Sequence, residues 1–240
     1  MDNSYFIRCG EYLTGNWKLD PNGKKIPLEN PEFTMTHLKT MPVAVQEAKA
    51  NASSVDEYID FLVDLCKAQG SNLLMLEQML VHRDKKRLGI IRDLLEENQG
   101  NCIFFAHHTE YIKFLEKWLK ENCPSREVRV ITGGTSVKKR KAIQDEMLER
   151  SDIVLLASYA CVGTGLTFKN VDFGIFGQSF KSQIINKQAI GRGLLKTESK
   201  DTFLLYDLVD IFPTKRLYQH GREKEKLWKK EGFEFEYETM

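Results

Sequence analysis

The chain has 240 residues, of which 42% are hydrophobic, so it can bury the core of one large or two small globular domains. Its formal net charge of +1 at pH 7 excludes a chain-wide basic surface and leaves only local patches for nucleic acid. The five cysteines form no C-x-x-C pair, so we expect reduced thiols and no metal site. No apolar run of about eighteen residues occurs, and residues 1–4 lack the character of a signal peptide. We therefore expect a cytoplasmic protein with no membrane partner.

Glycine and proline are frequent in the N-terminal part of the chain, which favours short strands or an extended arm over long helices. Residues 20–23, with the sequence DPNG, are a strong turn signal and predict a small hairpin between residues 17–19 and 25–28. A capping box that starts at Ser54 then predicts a helix. We expect residues 1–70 to form an irregular and helical N-terminal extension.

Short apolar runs and helical patterns alternate after Gly100. Each run is bounded by turn residues, which is typical of a buried parallel strand. The predicted strands are residues 103–106, 127–131, 153–157, 171–176 and 202–207. This alternation predicts an α/β fold with a parallel, doubly wound sheet and helices on both faces, whose ligands lie at the carboxyl ends of the strands. We assign residues 71–212 to this lobe.

Several helix boundaries and charged faces are also predicted. Thr109 and Ser136 are the expected N-caps of the helices after the first and second strands, and the helix after the fourth strand is expected to run through Gln188. The basic cluster at residues 82–87 is most simply a solvated face. Residues 213–240 are expected to form a basic C-terminal helix and tail, either a solvated surface helix or a DNA-binding one.

Polar and glycine-rich stretches follow the predicted strands and should meet at one edge of the sheet. They are residues 107–109 (HHT), 158–167 (SYACVGTGLT) and 188–196 (QAIGRGLLK). The glycines let the backbone approach a phosphate closely, and Arg192 beside the amide of Gln188 is suited to sensing the γ-phosphate of a nucleotide. The alternatives are ordinary polar caps for the histidines and a solvated basic helix end for the arginine.

In this order and spacing, these pieces resemble the second RecA-like lobe of superfamily 2 helicases and translocases. Residues 103–108 are similar to motif IV of that family, and residues 131–134 together with Arg140 are similar to the adjoining motif that touches the DNA backbone. Residues 158–170 are similar to motif V, and residues 188–196 are similar to motif VI. The resemblance covers roughly residues 72–235, and the amino-acid sequence of the last motif most resembles that of phage DNA helicases of the UvsW type. It implies a RecA-like sheet in an ATP-dependent DNA helicase.

The resemblance also implies roles for individual residues. Arg192 matches an arginine finger that reaches ATP from the second lobe, and Gln188 would support it. The implied nucleotide-binding positions are Gly165, Thr167, Gly191 and Arg192. The implied nucleic-acid contacts are His107, Gly133, Gly134, Arg140, Ser158 and Thr164, with a surface salt bridge as the alternative for the arginine.

Cofactors and partners follow from the same resemblance. It implies ATP and Mg²⁺, shared with a missing first RecA-like lobe that acts in cis or in trans. The nucleic-acid partner would be DNA, either branched DNA or an RNA–DNA hybrid, in phage repair or recombination.

The sequence departs from the family pattern in two places. Leu195 stands where the family usually has a second arginine, and Lys196 lacks the guanidinium fork and lies about 100° further round a helix. No Walker A loop is present, because residues 23–25 have lysine where serine or threonine is required, and residues 204–207 fit a fifth strand better than Walker B. We therefore expect the chain to bind little ATP alone and to form half of a motor, as a fragment, a split gene product or a partner-dependent subunit.

Two other functions stay open on the sequence. A non-catalytic nucleic-acid-binding module derived from a helicase lobe would explain both Leu195 and the missing Walker A loop. A Rossmann-type enzyme built on residues 163–165 would need a third glycine where Phe168 stands. Addition of a first lobe distinguishes the motor hypothesis from the binding-module hypothesis, because only a motor would gain ATP hydrolysis.

Overall fold

The computed structural model describes residues 17–19, 25–27, 51–68, 73–162, 168, 170–178, 182–193, 203–211, 215–233 and 236–237. The chain divides into two compact units. The first consists of residues 1–88 and 211–217, and the second of residues 89–210 and 218–240. Within the described residues, no helix is long and apolar enough to span a membrane.

The first unit contains the predicted hairpin and the predicted capped helix. Strand β1 (Trp17–Leu19) pairs antiparallel with β2 (Lys25–Pro27), which confirms the predicted hairpin, while the predicted turn at residues 20–23 lies outside the described residues. One half of the predicted capping box forms at the start of helix α1 (Val55–Ala68), where Ser54 Oγ accepts from the backbone N–H of Glu57 at 3.1 Å. The carboxylate of Glu57 reaches back to Ser53 rather than Ser54, accepting from its backbone N–H at 2.7 Å.

The turn between α2 (Leu73–His82) and α3 (Lys85–Glu97) contradicts the predicted solvated basic face. His82, Arg83 and Arg87 are buried, whereas the two lysines between them stay exposed. The two helices are separated only by Arg83 and Asp84, and the polar side chains around this short turn are buried. Asp84 fixes the turn, since its carboxylate accepts from the backbone N–H of Arg87 at 3.0 Å.

The second unit holds five strands and the helices that connect them. The elements are β3 (Cys102–Ala106), α4 (Thr109–Asn122), β4 (Glu127–Ile131), α5 (Val137–Glu149), β5 (Ile153–Ser158), α6 (Tyr159–Val162), β6 (Phe173–Phe176), α7 (Gln183–Gly193), β7 (Leu204–Asp207) and α8 (Arg216–Lys230). The strands are ordered β4-β5-β3-β6-β7, and every neighbouring pair is parallel. The α/β fold with a parallel sheet is therefore confirmed.

The strand order explains which side of the sheet each helix covers. The chain moves from β3 to β4 in one direction and then returns across the sheet, so right-handed connections place α4 on one face and the later helices on the other. Phe104 meets Tyr111 of α4 edge-on at 6.1 Å, whereas Phe105 belongs to the cluster that includes Ile143 of α5 and Trp228 of α8. The central strands β3 and β5 are buried throughout, as uniformly apolar strands should be.

Three predicted helix boundaries can be compared with the structure. Ser136 caps α5 as predicted, accepting from the backbone N–H of Lys139 at 3.3 Å. The predicted cap Thr109 is wrong, because the extended residue before it, His108, is the N-cap of α4 and the helix starts at Thr109. The helix predicted to run through Gln188 is confirmed. Helix α7 continues to Gly193, and the completely buried Ala189 packs it on the core, which offsets the roughly 1 kcal/mol cost of a helical glycine.

Asn101 organises the amino-terminal edge of the sheet. Its completely buried amide nitrogen donates to the carbonyls of Met147, Arg150 and Asn170 at 2.9, 2.7 and 2.9 Å. Its amide oxygen accepts from the backbone N–H of Ile153 at 2.9 Å. One side chain therefore joins the start of β3 to the end of α5, the start of β5 and the segment before β6.

Candidate functional site

Three neighbouring strands end at the carboxyl edge of the sheet, where ligands of open α/β folds bind. Ala106 at the end of β3 lies opposite Ser158 at the end of β5, and Phe105 lies opposite Phe176 of β6. His107 and Ser158, which were predicted to lie at this edge, are therefore brought to adjacent strand ends. The remaining predicted motif V positions, Thr164, Gly165 and Thr167, lie outside the described residues.

Gln178, just after β6, links two of these strand ends and was not singled out in the sequence. Its side chain is completely buried, and its amide oxygen accepts from the backbone N–H groups of His107 at 2.7 Å and His108 at 3.2 Å. Tyr159, which follows β5, donates its hydroxyl to the carbonyl of Gln178 at 3.4 Å. The only sequence signal is a polar residue two positions after a predicted strand, which is too common to have identified it.

The two histidines at the end of β3 favour the neutral form. Partial desolvation by neighbouring atoms lowers the pKa of His107, and burial together with the neighbouring His107 lowers the pKa of His108 to about 4. Their rings meet edge-on with centroids 5.1 Å apart, and the side chain of His107 is exposed. At neutral pH this corner can therefore offer hydrogen bonds to a ligand without carrying a positive charge.

Ser158 is turned into the protein. The residue is only 4% exposed, and its Oγ lies 3.1 Å from the thiol of Cys161 on α6. Tyr159 is also buried and stacks on Phe105 with ring centroids 5.9 Å apart. In this arrangement the serine hydroxyl closes the first turn after β5 and is not exposed at the edge.

Hydrogen bonds hold the loop after β4 in a defined conformation. Thr132 and Thr135 exchange hydrogen bonds across it, at 2.9 Å to the Thr135 hydroxyl and 3.0 Å to the Thr132 carbonyl. Arg140 of α5 donates to the carbonyls of Thr135 at 2.7 Å, Thr132 at 3.1 Å and Gly133 at 3.2 Å. The exposed Gly133 and Gly134 have open space at their Cβ positions, so a ligand can approach the backbone there.

Helix α7 carries the residues predicted to sense a phosphate. Gln188 is exposed, while Asn186 and Ala189 are buried, so this part of the helix has one outward and one inward face. Gly191 and Arg192 lie in the last turn of α7, and the backbone of Arg192 is four residues beyond Gln188 on the same side of the helix.

The residues described here do not fit a magnesium site. No group of three or more His, Cys, Asp or Glu side chains with the geometry to hold a metal occurs in the described part of the chain. Asp207, the acidic residue at the end of β7, is ion-paired with the completely buried Lys224 of α8 and accepts from Trp228 Nε1 at 3.4 Å. Trp228 in turn stacks on Phe176 at 6.0 Å. Asp207 therefore anchors a helix, as expected for a fifth strand rather than a Walker B strand.

Comparisons with known proteins agree with this geometry. The helicase conserved C-terminal domain family matches residues 86–194. The ATP-dependent DNA helicase UvsW of Enterobacteria phage T4 is 25% identical over 160 residues, which cover 61% of this chain and 32% of UvsW. The crystal structure of T4 UvsW superposes with a TM-score of 0.54 and 21% identity, covering 72% of this chain and 37% of that one.

A second solved structure, the C-terminal part of the Fun30 ATPase domain, has a TM-score of 0.49 and 17% identity, with 80% of this chain and 58% of that chain covered. This chain spans about a third of the length of UvsW. The helicase conserved C-terminal domain family therefore matches residues 86–194, and this region is similar to the second RecA-like lobe of superfamily 2 helicases, including that of UvsW.

Proposed function

We propose that this chain supplies the second motor lobe of an ATP-dependent DNA helicase or translocase that acts on branched DNA or RNA–DNA hybrids, in DNA repair or recombination. The observation that carries the proposal is the carboxyl edge of the sheet, where His107 and the open loop of Gly133 and Gly134 follow strands of a RecA-like lobe. The similarity to UvsW supports DNA as the nucleic acid.

The nucleic-acid surface would be centred on the loop after β4. Arg140 is engaged with the loop carbonyls, so its role would be to hold the glycine backbone in shape. Lys138, Lys139 and Lys141 are exposed at the start of α5, directly beside this loop, and supply positive charge. A phosphate backbone that crosses the edge would meet open backbone N–H groups and nearby lysines, the combination that gives affinity without sequence preference.

The nucleotide contact would come from α7. ATP bound by a first lobe supplies the phosphoryl group whose transfer to water drives the motor. Arg192 would donate to the γ-phosphate and neutralise the charge that develops on it, and Gln188, one turn earlier, would support this contact. Gly165, Thr167 and Gly191 complete the proposed nucleotide positions. The carboxylates for Mg²⁺ and the Walker A loop would belong to the first lobe.

Salt-dependent DNA binding tests the nucleic-acid part of the proposal. The chain is titrated onto fluorescent forked DNA, and the slope of log affinity against log salt gives about 0.9 per phosphate contacted. Replacing Lys138 and Lys139 by alanine should lower this slope by about 2. The matched control replaces Lys117 and Lys120, which are exposed on α4 across the sheet, and should leave the slope unchanged. Failure of the wild-type chain to bind at low salt would refute a DNA surface on this lobe.

Addition of a separately expressed first lobe of a UvsW-type helicase tests the catalytic part. DNA-stimulated ATP hydrolysis should appear with the wild-type chain and fall about 10³-fold with Arg192→Ala. Arg92→Ala, which removes an exposed arginine paired with Asp93 on α3, serves as the control and should hydrolyse normally. Binding of DNA without any gain of hydrolysis would favour the non-catalytic module, for which Leu195 at the second arginine position is the supporting observation.

A further inference from the structure

The corner between β3 and α4 depends on a side chain that is distant in sequence. Residues 107 and 108 leave the sheet ladder here, and their backbone N–H groups cannot pair with a strand. Gln178 accepts both hydrogen bonds through one oxygen, at 2.7 and 3.2 Å, although it follows a different strand. An amide oxygen has two lone pairs, so a single Gln178 side chain can satisfy two adjacent donors.

The fold places Gln178 at this corner by a close backbone approach. Gly177 donates its N–H to the carbonyl of Phe105 at 3.0 Å and so extends the pairing of β3 with β6 by one residue. The ring of Phe104 occupies the space where a side chain at Gly177 would lie, since an added Cβ would meet a ring carbon at 1.8 Å. Tyr159 then holds the carbonyl of Gln178 from the end of β5. Gln178 thereby connects the ends of β3, β5 and β6.

We propose that Gln178 is a positioning residue of the nucleic-acid site, which fixes the backbone of His107 and His108 in the shape that the DNA contact requires. This inference rests on the proposed function, because it assumes that the carboxyl edge binds nucleic acid. Gln178 acts through the histidine corner and is itself completely buried. Its amide nitrogen has no hydrogen-bond partner among the described residues, so the oxygen is the atom that does the positioning.

The test compares two substitutions that separate the oxygen from the nitrogen. Gln178→Met keeps the length of the side chain and removes the acceptor, whereas Gln178→Glu keeps an acceptor oxygen and removes the amide nitrogen. We expect Gln178→Met to lose the hydrogen-exchange protection of the His107 and His108 amides and to weaken forked-DNA binding about tenfold. We expect Gln178→Glu to retain the protection of both amides and most of the affinity. Gln99→Met, the same change at an exposed glutamine near the opposite edge, should bind DNA normally.

Each outcome decides the inference. A folded Gln178→Met that binds within twofold of the wild-type chain, or wild-type His107 and His108 amides that exchange as fast as exposed loop amides, would overturn it. If Gln178→Met does not fold, a folded Gln178→Glu with both amides protected and DNA affinity retained supports the role of the oxygen. A folded Gln178→Glu that loses both the amide protection and the affinity would show that an acceptor oxygen is not sufficient and would overturn the inference. If neither variant folds, because Gln178→Glu also buries a carboxyl group, the exchange of the wild-type His107 and His108 amides decides: protection supports the inference, and exchange at the rate of exposed loop amides overturns it. Failure of the wild-type chain to bind DNA refutes the proposed function, and with it the premise of this inference.

Discussion

Replacing Asn101 by alanine removes the side chain that joins four segments at the amino-terminal edge of the sheet. The amide is completely buried, so water cannot replace the lost hydrogen bonds. Met147 and Arg150 each keep a second donor, because the amide of Asn170 also reaches their carbonyls at 2.8 and 3.2 Å. The groups that lose the bond outright are the N–H of Ile153 and the carbonyl of Asn170.

The magnitude follows from these two groups. A buried donor or acceptor left unpaired costs about 1–3 kcal/mol, and the lost contacts of the side chain add to this. We expect Asn101→Ala to lower the free energy of unfolding of the second unit by about 3–5 kcal/mol. For a unit of this size, each kcal/mol shifts the melting temperature by about 2–4 °C, so the midpoint should fall by roughly 6–20 °C.

The assay is thermal unfolding followed by circular dichroism, with urea unfolding as a second measure. Asn101→Asp has nearly the same shape but presents an oxygen to three carbonyls, so it should be at least as damaging as alanine. Asn122→Ala, which removes one exposed bond to the carbonyl of Trp118, is the control and should change stability by less than about 0.5 kcal/mol. An Asn101→Asp variant with the melting temperature of the wild type would refute the reasoning, because it would show that the hydrogen bonds donated by the Asn101 amide do not contribute to stability.

Four further substitutions test other parts of the fold. Gly177→Ala should destabilise the second unit, because the new methyl group would overlap the ring of Phe104, and Phe104→Leu should partly restore the melting temperature of Gly177→Ala. Lys224→Met should lower the free energy of unfolding by about 3 kcal/mol, measured in urea, since it leaves Asp207 without its buried cation. The lowered histidine pKa values predict that stability is complete above about pH 6.5 and falls towards pH 4, because the unfolded chain then binds the protons that the folded corner excludes. The melting temperature of His108→Gln should therefore change less between pH 7.5 and pH 5 than that of the wild type. Equal changes of melting temperature with pH in the two proteins would contradict this.

The sheet was predictable because its strands carry a local signal. Strand β4 has the predicted bounds, 127–131, and the buried strands β3 and β5 each differ from the prediction by one residue at one end. Their apolar runs need no partner to be recognised, since a strand buried on both faces is apolar at every position. The fourth strand starts later than predicted, at Phe173, because the backbone N–H groups of Asp172 and Phe173 are directed to the carbonyl of Asn101.

Buried polar groups were not predictable in the same way. Whether a basic cluster is solvated depends on what the rest of the chain packs around it, and the burial of His82, Arg83 and Arg87 could not be read from composition. The partners of Gln178 are 70 and 71 residues away in the sequence. The roles of Asn101 and Gln178 appear only when β3 is placed between β5 and β6, which is a property of the strand order and not of any local pattern.

The two buried amides lead to opposite predictions for stability and binding. All the bonds of Asn101 serve the packing of strand starts and the end of α5, at the edge where open α/β folds do not place ligands. Gln178 orders a corner at the other edge, which is exposed at His107. Asn101→Ala should therefore lower the melting temperature while its folded fraction binds forked DNA with wild-type affinity, and Gln178→Met should weaken binding with a smaller loss of stability. Measuring both quantities for both variants at a temperature where each is folded tests this separation, and parallel losses of stability and affinity would show that the two edges act as one unit.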